Sequence, residues 1–140
     1  MSVYLDTSVI VPLFLIDPFA SRAKAYFLSN VPEVVVSDLA SAEFAAVVAA
    51  RIRMRQLTDV EARSSLSQFD NWKAAVATGA LAVPSDIGDA ERFIRRLDLN
   101  LRTPDAIHIA IARRLGGELA TFDTRMAECA RALGAGVAAL

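Results

Sequence analysis

The sequence predicts an α/β fold in which a short central parallel sheet of about five strands carries helices on both faces. Short apolar runs alternate with longer helical patterns along the chain, the arrangement typical of a parallel sheet joined by crossover helices. The chain is 54% hydrophobic, above the roughly 45–50% of average domains, which suits a buried sheet. Its 140 residues are enough for one domain, 1–140, with a sizeable core.

Five apolar runs are predicted to be the strands. Their apolar character is mostly continuous rather than alternating, as expected of parallel strands covered on both faces. In chain order the runs are VYL at 3–5, VVV at 34–36, LAV at 81–83, LAT at 119–121 and the C-terminal GVAAL at 136–140.

Helices are predicted between these runs from caps, breakers and apolar spacing. A long helix begins near Asp38, and the capping box from Thr58 to Glu61 opens another that carries Trp72 as a packing anchor. That second helix ends before Gly79. Further helices are expected after the turn at Asp17-Pro18, over DIGDAERFIRRL at 86–97, over 103–115 and over TRMAECARAL at 124–133.

The segment LRTPDAIHIAIARRL, residues 101–115, raises the question of function. Thr103 suits the N-cap, Pro104 suits the first helical position, and Gly116-Gly117 stops the helix. A helix that is apolar nearly all round is normally buried, so Asp105 at its head should lie near the core. An acid there also offsets the helix dipole by about 0.3–1 kcal/mol, so capping alone explains it unless other acids reach the same place.

Three other acids are predicted to reach that place. Asp6 directly follows the first strand, and Asp123 lies just beyond the fourth. Glu43 is the one charge in ASAEFAAVVAA, where it is costly unless it faces a partner or a cavity. Ligands of parallel sheets bind beyond the carboxyl ends of the strands, so we expect these three acids and Asp105 to converge there.

Four converging carboxylates need a cation. Two ionised carboxylates about 5 Å apart repel by roughly 3 kcal/mol at an effective dielectric constant of about 20, and no buried lysine or arginine is obviously placed to neutralise four of them. Hard oxygen ligands without a His/Cys cluster favour Mg²⁺ or Mn²⁺ over zinc. Such an ion activates water and offsets charge on a displaced phosphate oxygen, so the pattern favours phosphodiester hydrolysis. Structural or capping acids are the competing interpretation.

Charge and cysteine content set weaker bounds. Lys and Arg number 15 against 16 Asp and Glu, so overall charge favours no nucleic-acid partner. The single cysteine, Cys129, excludes an internal disulfide, and a cytoplasmic setting is expected; the chain start lacks a secretory signal pattern. Each arginine cluster by itself is most simply a solvated helix face: Arg51, Arg53 and Arg55; Arg92, Arg95 and Arg96 with Arg102 nearby; Arg113 with Arg114.

Four segments together resemble a known family. They are VYLDTSVIV, VVSDLASAEFAAV, RTPDAIHIAIARRLG and LATFDTRM, in that order over essentially the whole chain. They resemble the PIN-domain ribonucleases and, more narrowly, the VapC-type toxins of bacterial toxin–antitoxin pairs. The resemblance implies a PIN-like domain and a metal-dependent endoribonuclease. It also carries the family's acidic quartet, which binds Mg²⁺ or Mn²⁺, onto Asp6, Glu43, Asp105 and Asp123, with Asp6 and Asp105 as the expected direct ligands.

The resemblance implies further roles and partners. Ser8 would match the small hydroxyl residue beside the first acid, or it caps the helix that begins there. Thr121 points from the fourth strand toward the same edge, but we interpret it as structural. His108, one turn beyond Asp105, could orient a carboxylate, although a lone histidine on an apolar helix is more often a core residue. Family members form homodimers and are blocked by a small antitoxin whose tail brings a basic residue into the acidic pocket. The arginine clusters become candidate contacts for RNA phosphates at the pocket rim.

Three alternatives compete with the nuclease. A haloacid-dehalogenase-like phosphatase needs a second aspartate two residues after the first, where this chain has Ser8. A phosphoacceptor receiver domain needs a paired acid near the first strand and a lysine near the last strand, and this chain has neither. A non-catalytic partner-binding module with a retained acidic site stays open, because intact acids do not prove turnover.

Overall fold

The computed structural model describes residues 1–29 and 33–140, which form a parallel sheet flanked by helices. The sheet order is β3-β2-β1-β4, so β1 pairs with β2 on one side and with β4 on the other. The predicted α/β fold with a parallel sheet is confirmed. The strands are β1 Ser2–Leu5, β2 Glu33–Ser37, β3 Ala77–Ala80 and β4 Glu118–Ala120.

Seven helices connect and cover these strands in the described residues. None of them combines the length and the apolar character needed to cross a membrane. Their bounds are α1 Thr7–Phe14, α2 Ala20–Ser29, α3 Asp38–Arg53, α4 Asp59–Val76, α5 Pro84–Ile94, α6 Thr103–Leu115 and α7 Thr124–Ala132.

The sheet separates two hydrophobic cores because successive side chains of a strand point to opposite faces. Val3 and Leu5 of β1 face a core covered by α1 to α4, where the Phe14 ring packs edge-on against Trp72 at 5.5 Å between centroids. Tyr4, between them in sequence, faces the second core, which Ile109 and other residues of α5 to α7 fill. The helices therefore cover both faces, and Trp72 is a packing residue as predicted.

Two strand predictions were wrong. The third strand lies at Ala77–Ala80, not at 81–83, and pairs with β2. Pro84 occupies the first turn of α5 with Val83 as its N-cap, so the LAV run leads into a helix. The predicted fifth strand is reduced to one bridge, in which Val137 pairs with Leu119.

The helix caps follow the sequence with small shifts. Thr58 caps α4 by accepting a hydrogen bond from the Glu61 backbone N–H at 3.2 Å. The carbonyl of Arg102 accepts the first bond of α6, from the Ala106 N–H, so Arg102 and not Thr103 is the N-cap. Gly116 ends α6 in the left-handed region with φ of 68°, which glycine adopts without strain.

A buried ion pair joins α5 to α6. The Asp86 carboxylate is fully buried, and Arg114 donates to its two oxygens at 2.8 and 3.0 Å. Arg114 also donates to the Leu81 carbonyl at 2.8 Å, which ties down the segment after β3. Burial raises the pKa of Asp86, but hydrogen bonds from Arg114 and the Val83 N–H outweigh it and bring the pKa below its ordinary value. Arg114 is therefore structural.

Replacing Arg114 with methionine should leave the Asp86 charge buried without its counter-ion. We expect Arg114→Met to lower the free energy of unfolding by about 3 kcal/mol, at the low end for such a loss because the Arg114 side chain is 32% exposed. Urea denaturation at pH 7 measures the difference. The matched control is Arg95→Met, which breaks the exposed pair with Glu91 and should cost less than about 1 kcal/mol.

The same comparison has a pH dependence of known sign. A carboxyl whose pKa is lowered on folding stabilises the protein above its ordinary pKa, here 3.8, and loses that contribution as the pH falls. The difference in free energy of unfolding between the wild type and Arg114→Met should therefore become smaller as the pH falls and Asp86 is protonated. Two results would contradict a structural role for the Arg114–Asp86 pair. One is an equal loss of unfolding free energy in the Arg114 and Arg95 variants, and the other is a stability difference that does not change with pH.

Candidate active site

An open cavity of about 540 Å³ lies beyond the carboxyl ends of β1 and β4. The strand order reverses between these two strands, because β2 and β3 extend to one side of β1 while β4 lies on the other. This is the position at which open parallel sheets bind ligands. The four acids singled out in the sequence all line this cavity: Asp6, Glu43, Asp105 and Asp123.

Asp6 is the most buried of the four acids, with 7% of its surface exposed. It follows β1 directly, and its backbone N–H donates to the Ala120 carbonyl at 3.0 Å, which fixes it between β1 and β4. The hydroxyls of Ser8 and Thr121 each donate to Asp6 Oδ2 at 2.6 Å. The second oxygen, Oδ1, lies 3.9 Å from His108 Nε2.

Of the two roles expected for Ser8, the structure has it beside the first acid, and Asp6 rather than Ser8 is the N-cap of α1. The Ser8 side chain lies within the first turn of α1, where it binds Asp6, and it accepts a hydrogen bond from the Phe122 N–H at 2.9 Å. Thr121 has a corresponding position at the end of β4, where it also accepts from the Asp123 N–H at 3.0 Å. The two hydroxyls therefore tie both strand ends to one carboxylate oxygen.

Asp105 and Asp123 both lie close to the guanidinium of Arg102, a contact that the sequence did not predict. Arg102 Nε donates to Asp105 Oδ2 at 3.0 Å, and Arg102 Nη2 lies 3.8 Å from Asp123 Oδ2. The hydrogen bond to Asp105 raises the pKa of Arg102. The Arg102 side chain is 71% exposed and contacts two of the four acids, so the expectation that no buried lysine or arginine neutralises all four is not contradicted.

Asp123 also has a helix-capping role. Its Oδ1 accepts hydrogen bonds from the backbone N–H groups of Arg125 and Met126, each at 3.0 Å, at the start of α7. The capping interpretation and the convergence interpretation both hold, because the other carboxylate oxygen faces Arg102. One oxygen orders the helix and the other contributes negative charge to the cavity.

Glu43 lies on α3, half-buried, with its Oε1 hydrogen-bonded to the Thr7 hydroxyl at 2.9 Å and to His108 Nε2. Burial raises the pKa of Glu43, but the hydrogen bonds with His108 and Thr7 and the positive charge of Arg102 outweigh burial. The net effect lowers the pKa of Glu43. The side chain is therefore a carboxylate at neutral pH.

The donor set of the cavity is chemically suited to a hydrated divalent cation that prefers oxygen ligands. Its acids offer hard oxygen ligands, and they already attract the guanidinium of Arg102. Within residues 1–29 and 33–140, no three acid, histidine or cysteine side chains lie close enough to form a complete ligand set. Mg²⁺ typically takes one or two carboxylates directly and keeps several waters, so the fit does not require all four acids.

The sequence did not predict the contacts that His108 and Thr7 make with Glu43. His108 is 1% exposed, as expected of a core residue, yet it also touches Glu43. The available signal was its position three residues after Asp105, on the same side of the helix. The sequence gave no comparable signal for Thr7, because threonine is common at the start of a helix for reasons of local structure alone.

Two arginines of the clusters line the cavity, Arg53 and Arg102. Others have structural contacts: Arg51 donates to the Ile16 carbonyl at 2.7 Å, and Arg96 pairs with Asp98 at 3.0 Å. The arginines of one sequence cluster therefore do not share one surface or one role, because only some of them line the cavity.

The sequence pattern of the PIN domain family matches residues 3–132. Ribonuclease VapC46 of Mycobacterium tuberculosis is 34% identical over 141 residues, which cover 99% of this chain and 97% of that protein. The crystal structure of VapC20 from the same organism, described as a Sarcin-Ricin loop cleaving toxin, has a TM-score of 0.73 at 19% identity and covers 90% of this chain and 93% of that one. VapBC2 from Rickettsia felis, bound to a DNA fragment from its promoter, has a TM-score of 0.67 at 13% identity, with 91% and 92% covered. Since the family pattern spans nearly the whole chain, the protein belongs to the PIN domain family.

Proposed function

We propose that residues 1–140 form one nuclease domain that hydrolyses RNA phosphodiester bonds with Mg²⁺ or Mn²⁺, as the cytoplasmic toxin of a toxin–antitoxin pair. The observation that most directly supports this function is the gathering of four acids in one cavity at the β1/β4 edge. The full-length similarity to a protein named as a ribonuclease supports RNA as the substrate class. Together they favour a nuclease over the phosphatase and receiver-domain alternatives.

The residues proposed to hold the metal are Asp6, Glu43, Asp105 and Asp123, with Asp6 and Asp105 as direct ligands. Such an ion, when bound, supplies an activated water and offsets negative charge on the phosphate. Asp6 suits a direct role because Ser8 and Thr121 occupy its Oδ2, so Oδ1 is the oxygen available to a ligand. Asp105 suits one because its carboxylate already binds a cation, Arg102.

The chain's own residues also prepare the cavity for RNA. Glu43, kept ionised by its lowered pKa, accepts hydrogen bonds and strengthens the attraction for cations. Arg53 and Arg102, at the cavity, are suited to contact backbone phosphates, which position a nucleic acid without reading its sequence. To contact RNA, Arg102 must first break its interactions with the carboxylates of Asp105 and Asp123. A metal ion bound to Asp105 would displace Arg102 from that carboxylate.

Helix α3 is the surface that suits a protein partner. It lines the cavity through Ala46, Val47 and Ala50, and it exposes Ile52 at its C-terminal end. An antitoxin that covers this apolar surface could extend a basic residue into the cavity. Such a residue would bind Asp105 as Arg102 does, and so compete with a metal. We also propose that the toxin forms homodimers, which sedimentation of the purified protein would test.

The non-catalytic partner-binding module is the second candidate. The observation that favours it is that each of the four acids already has a hydrogen-bond or ion-pair partner within the chain. The two functions separate in one assay, because only the nuclease cleaves RNA when Mg²⁺ or Mn²⁺ is added and stops when the metal is chelated.

Removing the charge of a metal-holding acid should abolish cleavage and leave the fold intact. Asp6→Asn and Asp105→Asn keep the side-chain shape, and we expect each to slow Mn²⁺-dependent RNA cleavage by at least about 100-fold, since even outer contacts of metal sites are worth about 10–100-fold. Glu43→Gln should have a smaller effect in the same direction. Cleavage of a labelled RNA by purified protein gives the rates, and relief of growth arrest on expression gives a second readout.

The control for the acid variants is Asp70→Asn, which removes an exposed acid of α4 outside the cavity. It should cleave like wild type. Circular dichroism of every variant shows whether the fold survives. Wild-type cleavage by Asp105→Asn would remove the central role proposed for that residue.

Arg53 and Arg102 should contribute to RNA binding through phosphates. In an inactive Asp6→Asn background, Arg53→Gln and Arg102→Gln should each weaken RNA binding and make the slope of log affinity against log salt less negative by about 0.7–1. Fluorescence anisotropy over a salt series measures both quantities. Arg63→Gln, on the exposed surface of α4, should leave the slope unchanged. Slopes that do not respond to the cavity arginines would exclude these phosphate contacts.

A cognate antitoxin should be encoded by a short gene beside this one. Co-expression of its product should relieve growth arrest, and the two proteins should purify as one complex because α3 offers an apolar surface next to the cavity. Replacing the basic residue in the antitoxin tail should restore cleavage in the presence of excess partner. A complex that leaves RNA cleavage unaffected would contradict inhibition through the acidic cavity.

A further inference from the structure

A series of buried hydrogen bonds leads from Glu43, at the cavity, into the hydrophobic core. The Ser37 hydroxyl lies 2.7 Å from the Tyr4 hydroxyl, which in turn lies 2.6 Å from His108 Nδ1. His108 Nε2 then contacts Glu43 Oε1. Ser37, Tyr4 and His108 are each only 1% exposed. We call these three residues the Ser37–Tyr4–His108 chain.

The direction of each bond in this chain follows from counting protons. Ser37 Oγ accepts from the Ala40 N–H at 3.0 Å as the cap of α3. Either hydroxyl of the Ser37–Tyr4 pair could donate, but Tyr4 Oη is the acceptor found for the Ser37 hydroxyl among the described residues, so we take Ser37 as the donor. Tyr4 then donates its single proton to His108 Nδ1. An imidazole that accepts at Nδ1 carries its proton on Nε2, the atom that faces Glu43.

The opposite direction is unfavourable at the cavity end. If Nδ1 carried the ring proton and donated to Tyr4, the lone pair of Nε2 would face the Glu43 carboxylate across a hydrogen-bond distance. Two acceptors in that position repel, and a buried carboxylate that loses a donor is costly.

We propose that Tyr4 and His108 are positioning residues for Glu43, with Tyr4 directing the His108 Nε2–H onto the Glu43 carboxylate. The proposal rests on the proposed function, because it gives a purpose to holding Glu43 in the cavity. Thr7 and His108 both donate to Oε1, so Oε2 is left as the oxygen available to an ion or to water. Partners behind a metal-binding side chain orient it in this way, and their loss lowers metal affinity.

The first test reads the bond direction directly. His108 is the single histidine of the chain, so ¹⁵N-histidine labelling gives one ring to assign by NMR. We expect a protonated Nε2 and an unprotonated Nδ1 in the wild-type protein, and loss of that single-tautomer signature in Tyr4→Phe. A proton on Nδ1, alone or together with Nε2, would overturn the proposal.

The second test measures Mn²⁺ binding by calorimetry in matched variants. His108→Leu removes the donor, and we expect it to weaken Mn²⁺ binding by about tenfold or more. His108→Gln keeps a side-chain N–H and should recover most of the affinity. Tyr4→Phe keeps the ring and removes only the hydroxyl, so it should weaken binding less than His108→Leu but measurably. Ile109→Val, at the fully buried neighbouring position of α6, controls for a general loss of packing.

The outcomes separate this inference from the proposed function. If Mn²⁺ binds and the variants weaken it as expected while no RNA is cleaved, the nuclease fails and the positioning role stands. If RNA is cleaved with Mn²⁺ while His108→Leu and Tyr4→Phe bind Mn²⁺ like wild type, the positioning role fails and the nuclease stands. A wild-type protein that binds no Mn²⁺ would contradict both.

Discussion

Repulsion between carboxylates is the constraint on which the arrangement of this site depends. Four acids line one cavity, and a pair of such charges about 5 Å apart repels by roughly 3 kcal/mol near a protein surface. The fold meets this cost separately for each acid. Hydroxyls hold Asp6, a guanidinium binds Asp105, helix N–H groups hold Asp123, and a threonine and a histidine hold Glu43. The negative charge of the cavity is therefore kept in place by donors that belong to the fold itself.

The topology of the sheet explains how distant segments supply these donors. β1 and β4 are neighbours in space but come from opposite ends of the chain, and their carboxyl ends carry Asp6 and Asp123. Helix α3 brings Glu43 from its side, while Asp105 lies in the first turn of α6 and Asp123 caps α7, so the positive ends of the α6 and α7 dipoles lie next to these two acids. The edge where the strand order reverses thus gathers both the negative side chains and the positive helix ends that stabilise them.

The sequence predicted the parallel sheet and the meeting of the four acids because both follow from periodicity and from the direction of strands. It failed at β3, where ATGA contains little apolar surface and the more apolar LAV run leads into a helix. It also did not predict the contact of Arg102 with Asp105 or the contact of His108 with Glu43. Those contacts depend on how far a long side chain reaches and on which side of α6 faces the cavity, and neither is visible in local patterns.

Helix α6 is held at two points, and this gives distant residues a mechanical influence over the site. Arg114 fixes its C-terminal end to Asp86, while the bond from Tyr4 to His108 fixes its middle. From Arg114 to Asp105 the helix extends roughly 14 Å at about 1.5 Å per residue. A tilt of about 5° about Arg114 would move the Asp105 carboxylate by about 1 Å, a displacement that can cost an active site about 100-fold in rate, and the hydrogen bond between Tyr4 and His108 resists that tilt. Substitutions in the packing between α5 and α6 can therefore move the Asp105 carboxylate from outside the cavity.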